Sequence, residues 1–188
     1  MAVDSLMVEL GTPAPDFALP SVSGGTVSLA DFASAPALLV MFLSNHCPYV
    51  RRIENGIATV TAEYRDRGLA TVAICSNDAS THPDDGPEHL AEQVRRAGFG
   101  FDYLVDESQE VARAYRAACT PDFFLYDGQR RLAYRGEFDS ARPSNDAPAD
   151  GASLRGALDA VLAGAPVPEP QYPSLGCGIK WKAGNEPA

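Results

Sequence analysis

The sequence predicts an α/β fold with a mostly parallel sheet, an antiparallel edge and helices on both faces. Three observations lead there. Two apolar runs, Leu38–Leu43 and Leu69–Cys75, are continuous rather than alternating, as strands buried on both faces require. Amphipathic stretches separate the strand-like segments, and such alternation favours a parallel sheet with right-handed crossovers. Late in the chain two further strand-like segments flank Asp127-Gly128, a hairpin signal that supplies the antiparallel edge.

Each element follows from local pattern. Residues 11–36 hold Gly11, Pro13, Pro15, Pro20 and Gly24-Gly25, so loops are expected there, with a short strand or hairpin near Thr26–Leu29. After the first apolar run, Ile53, Ile57, Val60 and Tyr64 recur at helical spacing, and Gly68 ends that helix. Ser76–Pro87 reads as a polar loop. Leu90, Val94 and Ala97 line a second helix that stops at Gly98. Phe101–Val105 is a third strand, Gln109–Arg116 a short helix, and Asp122–Tyr126 with Arg131–Arg135 the hairpin strands. Ser153 is the expected cap of a last helix, with Leu154, Leu158, Val161 and Leu162 inward and Gly164 at its end. From about Ala165 a tail rich in Pro and Gly follows. Its Tyr172, Leu175, Ile179 and Trp181 predict that it packs. No internal repeat is present. Residues 1–188 are expected to form a single domain with this C-terminal tail, Ser140–Asp150 being the most linker-like segment.

Composition narrows the function classes. A length of 188 residues suffices for a substantial core. A net charge of -10 argues against nucleic acid and against an anionic membrane surface. Lys180-Trp181-Lys182 in so acidic a chain reads as tail packing rather than a nucleic-acid contact. The N-terminal stretch MAVDSLMVELG lacks the basic region of a signal peptide, and no run has the length of a transmembrane helix, so a cytoplasmic location is expected. Cys47, Cys75, Cys119 and Cys177 are scattered and form no CxxC pair. Neither the disulfide framework of a secreted domain nor a zinc site is expected. Asp78–Asp85, with His82, Glu88 and His89 nearby, lacks a regular ligand spacing and reads as a solvated polar loop. No cofactor and no metal are expected, and the sequence is silent on oligomeric state.

The chemistry gathers where the first apolar run ends, in Ser44-Asn45-His46-Cys47-Pro48-Tyr49-Val50. In open α/β sheets the functional crevice lies beyond the carboxyl ends of the strands. Pro48 suits the first helical position, which makes Cys47 the N-cap, where unpaired N–H groups and the helix dipole favour a thiolate. Arg51 and Arg52 add positive potential one turn on, and His46 is a candidate tuning residue. The plainer reading, a buried cysteine acting as a small hydrophobe, fits Cys75 in its apolar strand better than Cys47 among polar neighbours. A second signal is Cys119-Thr120-Pro121-Asp122-Phe123-Phe124-Leu125-Tyr126-Asp127, with a proline just before a strand.

These residues resemble the thioredoxin-like superfamily, specifically its peroxiredoxin and thioredoxin-like reductase (redoxin) branch. Three segments carry the resemblance: Gly11-Thr12-Pro13-Ala14-Pro15-Asp16-Phe17-Ala18-Leu19-Pro20, then Val40–Cys47, then Thr120-Pro121 with Phe123–Asp127. It covers roughly residues 8 to 163. The tail Ser174–Lys182 lies outside the shared fold, yet with NHCPYV and CTPDFFL it resembles a bacterial group of redoxin-domain proteins. The resemblance implies a three-layer thioredoxin-like sandwich, a cis Thr120-Pro121 bond facing Cys47, and thiol chemistry. Two registers stay open. In one, Cys47 is the exposed attacking thiol and Val50 replaces the resolving cysteine; Pro48 at the first helical position favours it. In the other, Ser44-x-x-Cys47 is the remnant and Cys47 takes the resolving place.

The implied function is a thiol–disulfide oxidoreductase acting on a disulfide and recharged by an external thioredoxin- or glutathione-type thiol. The alternative is an antioxidant, peroxiredoxin-like thiol peroxidase acting on a peroxide. Ser44, three residues before the Cys-Pro pair, supports it. Val40 and Thr120-Pro121 stand where that pattern wants a proline and an arginine, and Arg135 is the substitute to be placed. A third reading is a non-catalytic binding module. Cys119 and Cys177 are the candidate resolving thiols, Cys75 being the more buried choice.

Overall fold

The structure is a computed structural model and describes residues 2–186. In chain order it contains β1 (Ala2–Asp4), β2 (Ala18–Pro20), β3 (Thr26–Ser28), β4 (Ala37–Phe42), α1 (Pro48–Arg65), β5 (Leu69–Cys75), α2 (Pro87–Ala97), β6 (Asp102–Val105), α3 (Glu110–Tyr115), β7 (Cys119–Thr120), β8 (Asp122–Asp127), β9 (Leu132–Gly136), α4 (Ala152–Leu162) and β10 (Leu175–Gly178). The central sheet has the order β6-β5-β4-β8-β9. β4, β5 and β6 run parallel, whereas β8 is antiparallel to both β4 and β9. The sheet is therefore mixed, with the hairpin on one side of β4.

The strand period sorts side chains into two cores. Leu39 and Met41 face α1, α2 and α4 through Val50, Ile53, Ile57, Leu90, Leu154 and Leu158. Leu38, Val40 and Phe42 face the other way, onto Phe17, Val111, Ala112 and Tyr115. All six residues of β4 are fully buried, which is why its sequence shows no alternation. Three layers result: helices, sheet, then α3 with the N-terminal segments. Tyr64 fastens α1 to α4 by donating to Asp159 Oδ1 at 2.9 Å.

Three expectations change. Ser153 does not cap α4; Gly151 does, at φ +72°. A Cβ at Gly151 would lie 2.7 Å from the Phe138 ring, so glycine alone fits, and the Ser153 hydroxyl donates to Glu137 Oε1 instead. The linker-like segment is pinned at both ends, because buried Asp139 accepts from the N–H groups of Ala141 and Gly151. The tail is an integral strand. β10 lies between β1 and β7 in a second sheet ordered β1-β10-β7, with Cys177 opposite Thr120 and Gly178 opposite Cys119.

Candidate active site

The site starts at the carboxyl end of β4. Leu43 prolongs the strand by donating its N–H to Ile74 O at 3.0 Å. The chain then turns sharply, and Cys47 becomes the N-cap of α1 with Pro48 at the first helical position. The extended backbone of Cys47 (φ -69°, ψ 122°) leaves its side chain free of any capping bond. Its Sγ donates instead to Thr120 O at 3.0 Å.

Asp85 holds this turn. It belongs to a short 3-10 turn, Pro83–Asp85, and is only 2% exposed, so the expected solvated loop has a buried carboxylate at its centre. Its Oδ1 accepts from Asn45 N at 2.7 Å and His46 N at 3.3 Å. Its Oδ2 accepts from Asn77 Nδ2 at 2.8 Å and pairs with His46 Nδ1 at 2.6 Å. Burial alone would raise the Asp85 pKa. Hydrogen bonds from His46 and Asn77, the His46 charge and the Asn45 N–H outweigh it and hold the carboxyl below its ordinary value. His46 stacks on His82 at 5.1 Å and is committed to Asp85.

A second brace comes from the helices. Arg96 on α2 bonds both oxygens of buried Glu54 on α1 and donates to Asn45 Oδ1 at 3.0 Å. Fully buried Gln93 donates to Ser44 O at 3.3 Å. Arg51 donates to Asn45 O at 2.6 Å, and Arg52 reaches Ala147 O. These donors rigidify the loop and leave the sulfur to its own neighbours.

Those neighbours are the Thr120-Pro121 loop and the tail. The Thr120-Pro121 bond is cis. Ser44 Oγ and Thr120 Oγ1 are 3.1 Å apart, both buried. β10 crosses this loop so closely that a Cβ on Gly176 would stand 2.1 Å from Thr120 O. The approach brings Cys177 to Cys47. Burial, then the neighbouring Cys47 thiol, push the Cys177 thiol up to about 12. Cys177 stands opposite Thr120 in the β10–β7 pair, and the carbonyl of the same Thr120 accepts from Cys47 Sγ, so both cysteines flank one residue.

Several expected residues stand elsewhere. Cys119 is fully buried, bonded toward Pro121 O and Ser174 O, and burial raises its pKa far above normal. Cys75 is likewise buried with a strongly raised pKa. Arg135 donates to Val8 O at 2.8 Å and Gln171 Oε1 at 2.6 Å, so its guanidinium serves the tail rather than Cys47. The exposed attacking thiol expected in the favoured register is not seen: Cys47 is 0% exposed. Among the described residues no group of three His, Cys, Asp or Glu side chains is placed to hold a metal. The sequence reading missed Asp85, Gln93, Glu54 and Arg96. Only the shift from helical stripe to polar positions at Glu54 and Gln93 hinted at them.

A three-layer fold with a thiol at a helix N-terminus beside a cis-proline defines a redoxin of the thioredoxin-like class. The AhpC/TSA family profile matches residues 10–135, and the chain belongs to that family. Among solved structures it is similar to a hypothetical protein from Sinorhizobium meliloti 1021, with 52% identity, a TM-score of 0.95, and coverage of 96% of this chain and 99% of the other. It is also similar to an uncharacterized conserved protein from Geobacillus kaustophilus, with 48% identity, a TM-score of 0.95 and 97% coverage of each chain. A protein described as thiol:disulfide interchange protein DsbE, from Chlorobium tepidum, shares the fold at 22% identity and a TM-score of 0.65, over 82% of this chain and 99% of that one. No curated protein matches the chain. No helix among the described residues is long and apolar enough to cross a membrane.

Proposed function

We propose that the protein is a thiol–disulfide oxidoreductase whose redox pair is Cys47 and Cys177, working as one unit with its C-terminal strand. The observation that carries this reading is Cys177 on β10, opposite Thr120, whose carbonyl accepts from Cys47 Sγ beside the cis Thr120-Pro121 bond. Disulfide exchange needs a second thiol to release a mixed disulfide, and β10 delivers one to the nucleophile. Cys47 is the redox sulfur at the N-terminus of α1. Ser44 and Thr120 shape the sulfur's surroundings through their paired hydroxyls. His46 acts by anchoring the turn on Asp85. Substrates are a disulfide, with an external thiol to return the pair to its starting state.

The family membership also supports the peroxidase alternative, in which Cys47 is first oxidised to a sulfenic acid and Cys177 condenses with it, releasing water. Activation of the peroxide calls for a cation near the sulfur, yet Arg51, Arg52 and Arg135 are each hydrogen-bonded to backbone or amide oxygens. Disulfide exchange is therefore our reading. The deciding experiment measures reduction of a protein disulfide and of hydrogen peroxide by wild type and Cys47→Ser. Loss of disulfide reduction in Cys47→Ser supports the proposal. Turnover confined to peroxide supports the alternative. Turnover of neither substrate by wild type contradicts both and leaves a binding module, and turnover untouched by Cys47→Ser contradicts the role of Cys47.

A further inference from the structure

Cys47 and Cys177 differ in one respect that decides how the pair meets a partner. Cys47 is 0% exposed, closed in by Thr120 and β10, whereas Cys177 is partly open to solvent. The cross-strand neighbours of Cys177 are Ala2 and Thr120, both with short side chains. The strand is firmly held on both sides. Ser174 Oγ donates to Pro121 O at 2.6 Å and Ser174 N donates to Ser5 Oγ at 2.8 Å. Beyond the glycines, Lys180 N donates to Asn77 Oδ1 at 2.8 Å and Lys180 O accepts from Gln109 Nε2 at 2.9 Å. With four such ties, β10 stays in place, and an incoming group meets Cys177 first.

Resting on the redox pair proposed above, we infer that Cys177 is the interchange sulfur, the atom that bonds to external thiols, and that Cys47 is the internal sulfur that attacks and leaves behind it. This reverses the order in which the sequence suggested the two act. When the protein is oxidised, a partner thiolate attacks Cys177 Sγ. The partner sulfur–Cys177 bond forms, the Cys177–Cys47 bond breaks, and the electron pair departs on Cys47 as a thiolate. A second partner thiolate then attacks the partner sulfur of the mixed disulfide and expels Cys177, which takes up a proton. The partner is oxidised by two electrons and the protein is reduced by two. In the opposite direction, Cys47 attacks a Cys177–substrate mixed disulfide and releases the substrate thiol. The substrate class that fits is a thiol or disulfide able to reach the partly open Cys177 on β10, such as an exposed cysteine of another protein or glutathione.

The test compares Cys47→Ser with Cys177→Ser, each reduced, folded by circular dichroism and exposed to oxidised glutathione at neutral pH, with adducts located by peptide mass spectrometry. The expected result is an adduct at Cys177 in the first variant, forming about tenfold or more faster than any adduct at Cys47 in the second. Equal rates, a faster Cys47 adduct, or no adduct in either variant would overturn the assignment. Alanine replacements of the same residues repeat the comparison if a serine variant fails to fold. A Cys47–Cys177 bridge in oxidised wild type together with a faster Cys47 adduct defeats this inference alone. Absence of that bridge defeats the redox pair itself.

Discussion

The five-stranded sheet and the three-stranded sheet meet at Pro121, and they are built by different means. The larger one rests on apolar side chains. Phe42, Phe124 and Tyr115 form edge-on and tilted contacts at 5.6–5.9 Å, and β4 has no exposed residue. The smaller one joins segments from the start, middle and end of the chain. It is fixed by backbone pairing, by Ser5 and Ser174, and by a glycine that lets β10 touch Thr120. The first sheet holds Cys47 in place; the second sets Cys177 opposite Thr120. Stability and redox chemistry should therefore respond to different substitutions.

The largest expected effect separates the two. Phe124→Ala should cost about 3–5 kcal/mol in urea unfolding, while the folded fraction still forms the Cys47–Cys177 bridge. A cost below about 1 kcal/mol would mean that the aromatic cluster is not the core it looks like. Gly176→Val should cost less, about 1–3 kcal/mol, because the added side chain pushes β10 off Thr120. Its signature is local: Cys177 alkylates about tenfold or more faster and the bridge forms poorly. Unchanged Cys177 reactivity would show that β10 is held by something other than this fit.

Between the sheets stands the Asp85 turn, and its effect should be smaller. Asp85→Asn should cost about 1–2 kcal/mol through weakened bonds to the Asn45 and His46 N–H groups. The pH dependence has a definite sign. Asp85 is held below the ordinary carboxyl pKa, so its contribution is complete above about pH 4. That contribution is lost as pH falls through its lowered folded value. Wild type should lose stability there more steeply than Asp85→Asn; parallel acid curves for the two proteins would refute the assignment.

How much of this was legible follows the same division. Continuous apolar runs exposed β4 and β5, and helical stripes ended by glycine exposed α1 and α2, because burial is written in side-chain type. The facing of Cys47 and the Thr120-Pro121 loop was legible, and the structure sets Cys47 Sγ 3.0 Å from Thr120 O. The three-stranded sheet was not, since Ala2–Asp4, Cys119–Thr120 and Leu175–Gly178 carry no apolar pattern and pair through backbone atoms. For the same reason Cys119, two residues before Pro121, looked the nearer candidate for the second thiol, with Cys177 on the tail behind it. Asp85 looked like one more acid in a polar loop, because the N–H groups it would accept lie forty residues away in sequence.

A separate effect lies at alkaline pH. The Cys177 pKa is raised from 9.0 to about 12 on folding, so the unfolded chain gives up this proton first. Stability should therefore fall as pH rises through that interval, and Cys177→Ser should fall less steeply in thermal melts. Identical slopes would mean that Cys177 is not held against Cys47.

The most direct measurement is disulfide mapping of the wild-type protein after mild oxidation. Peptides should be recovered in which Cys47 is joined to Cys177, with Cys75 and Cys119 still free thiols. A Cys47–Cys119 bridge, or a Cys47 that stays unpaired while the protein turns over disulfides, would contradict the account.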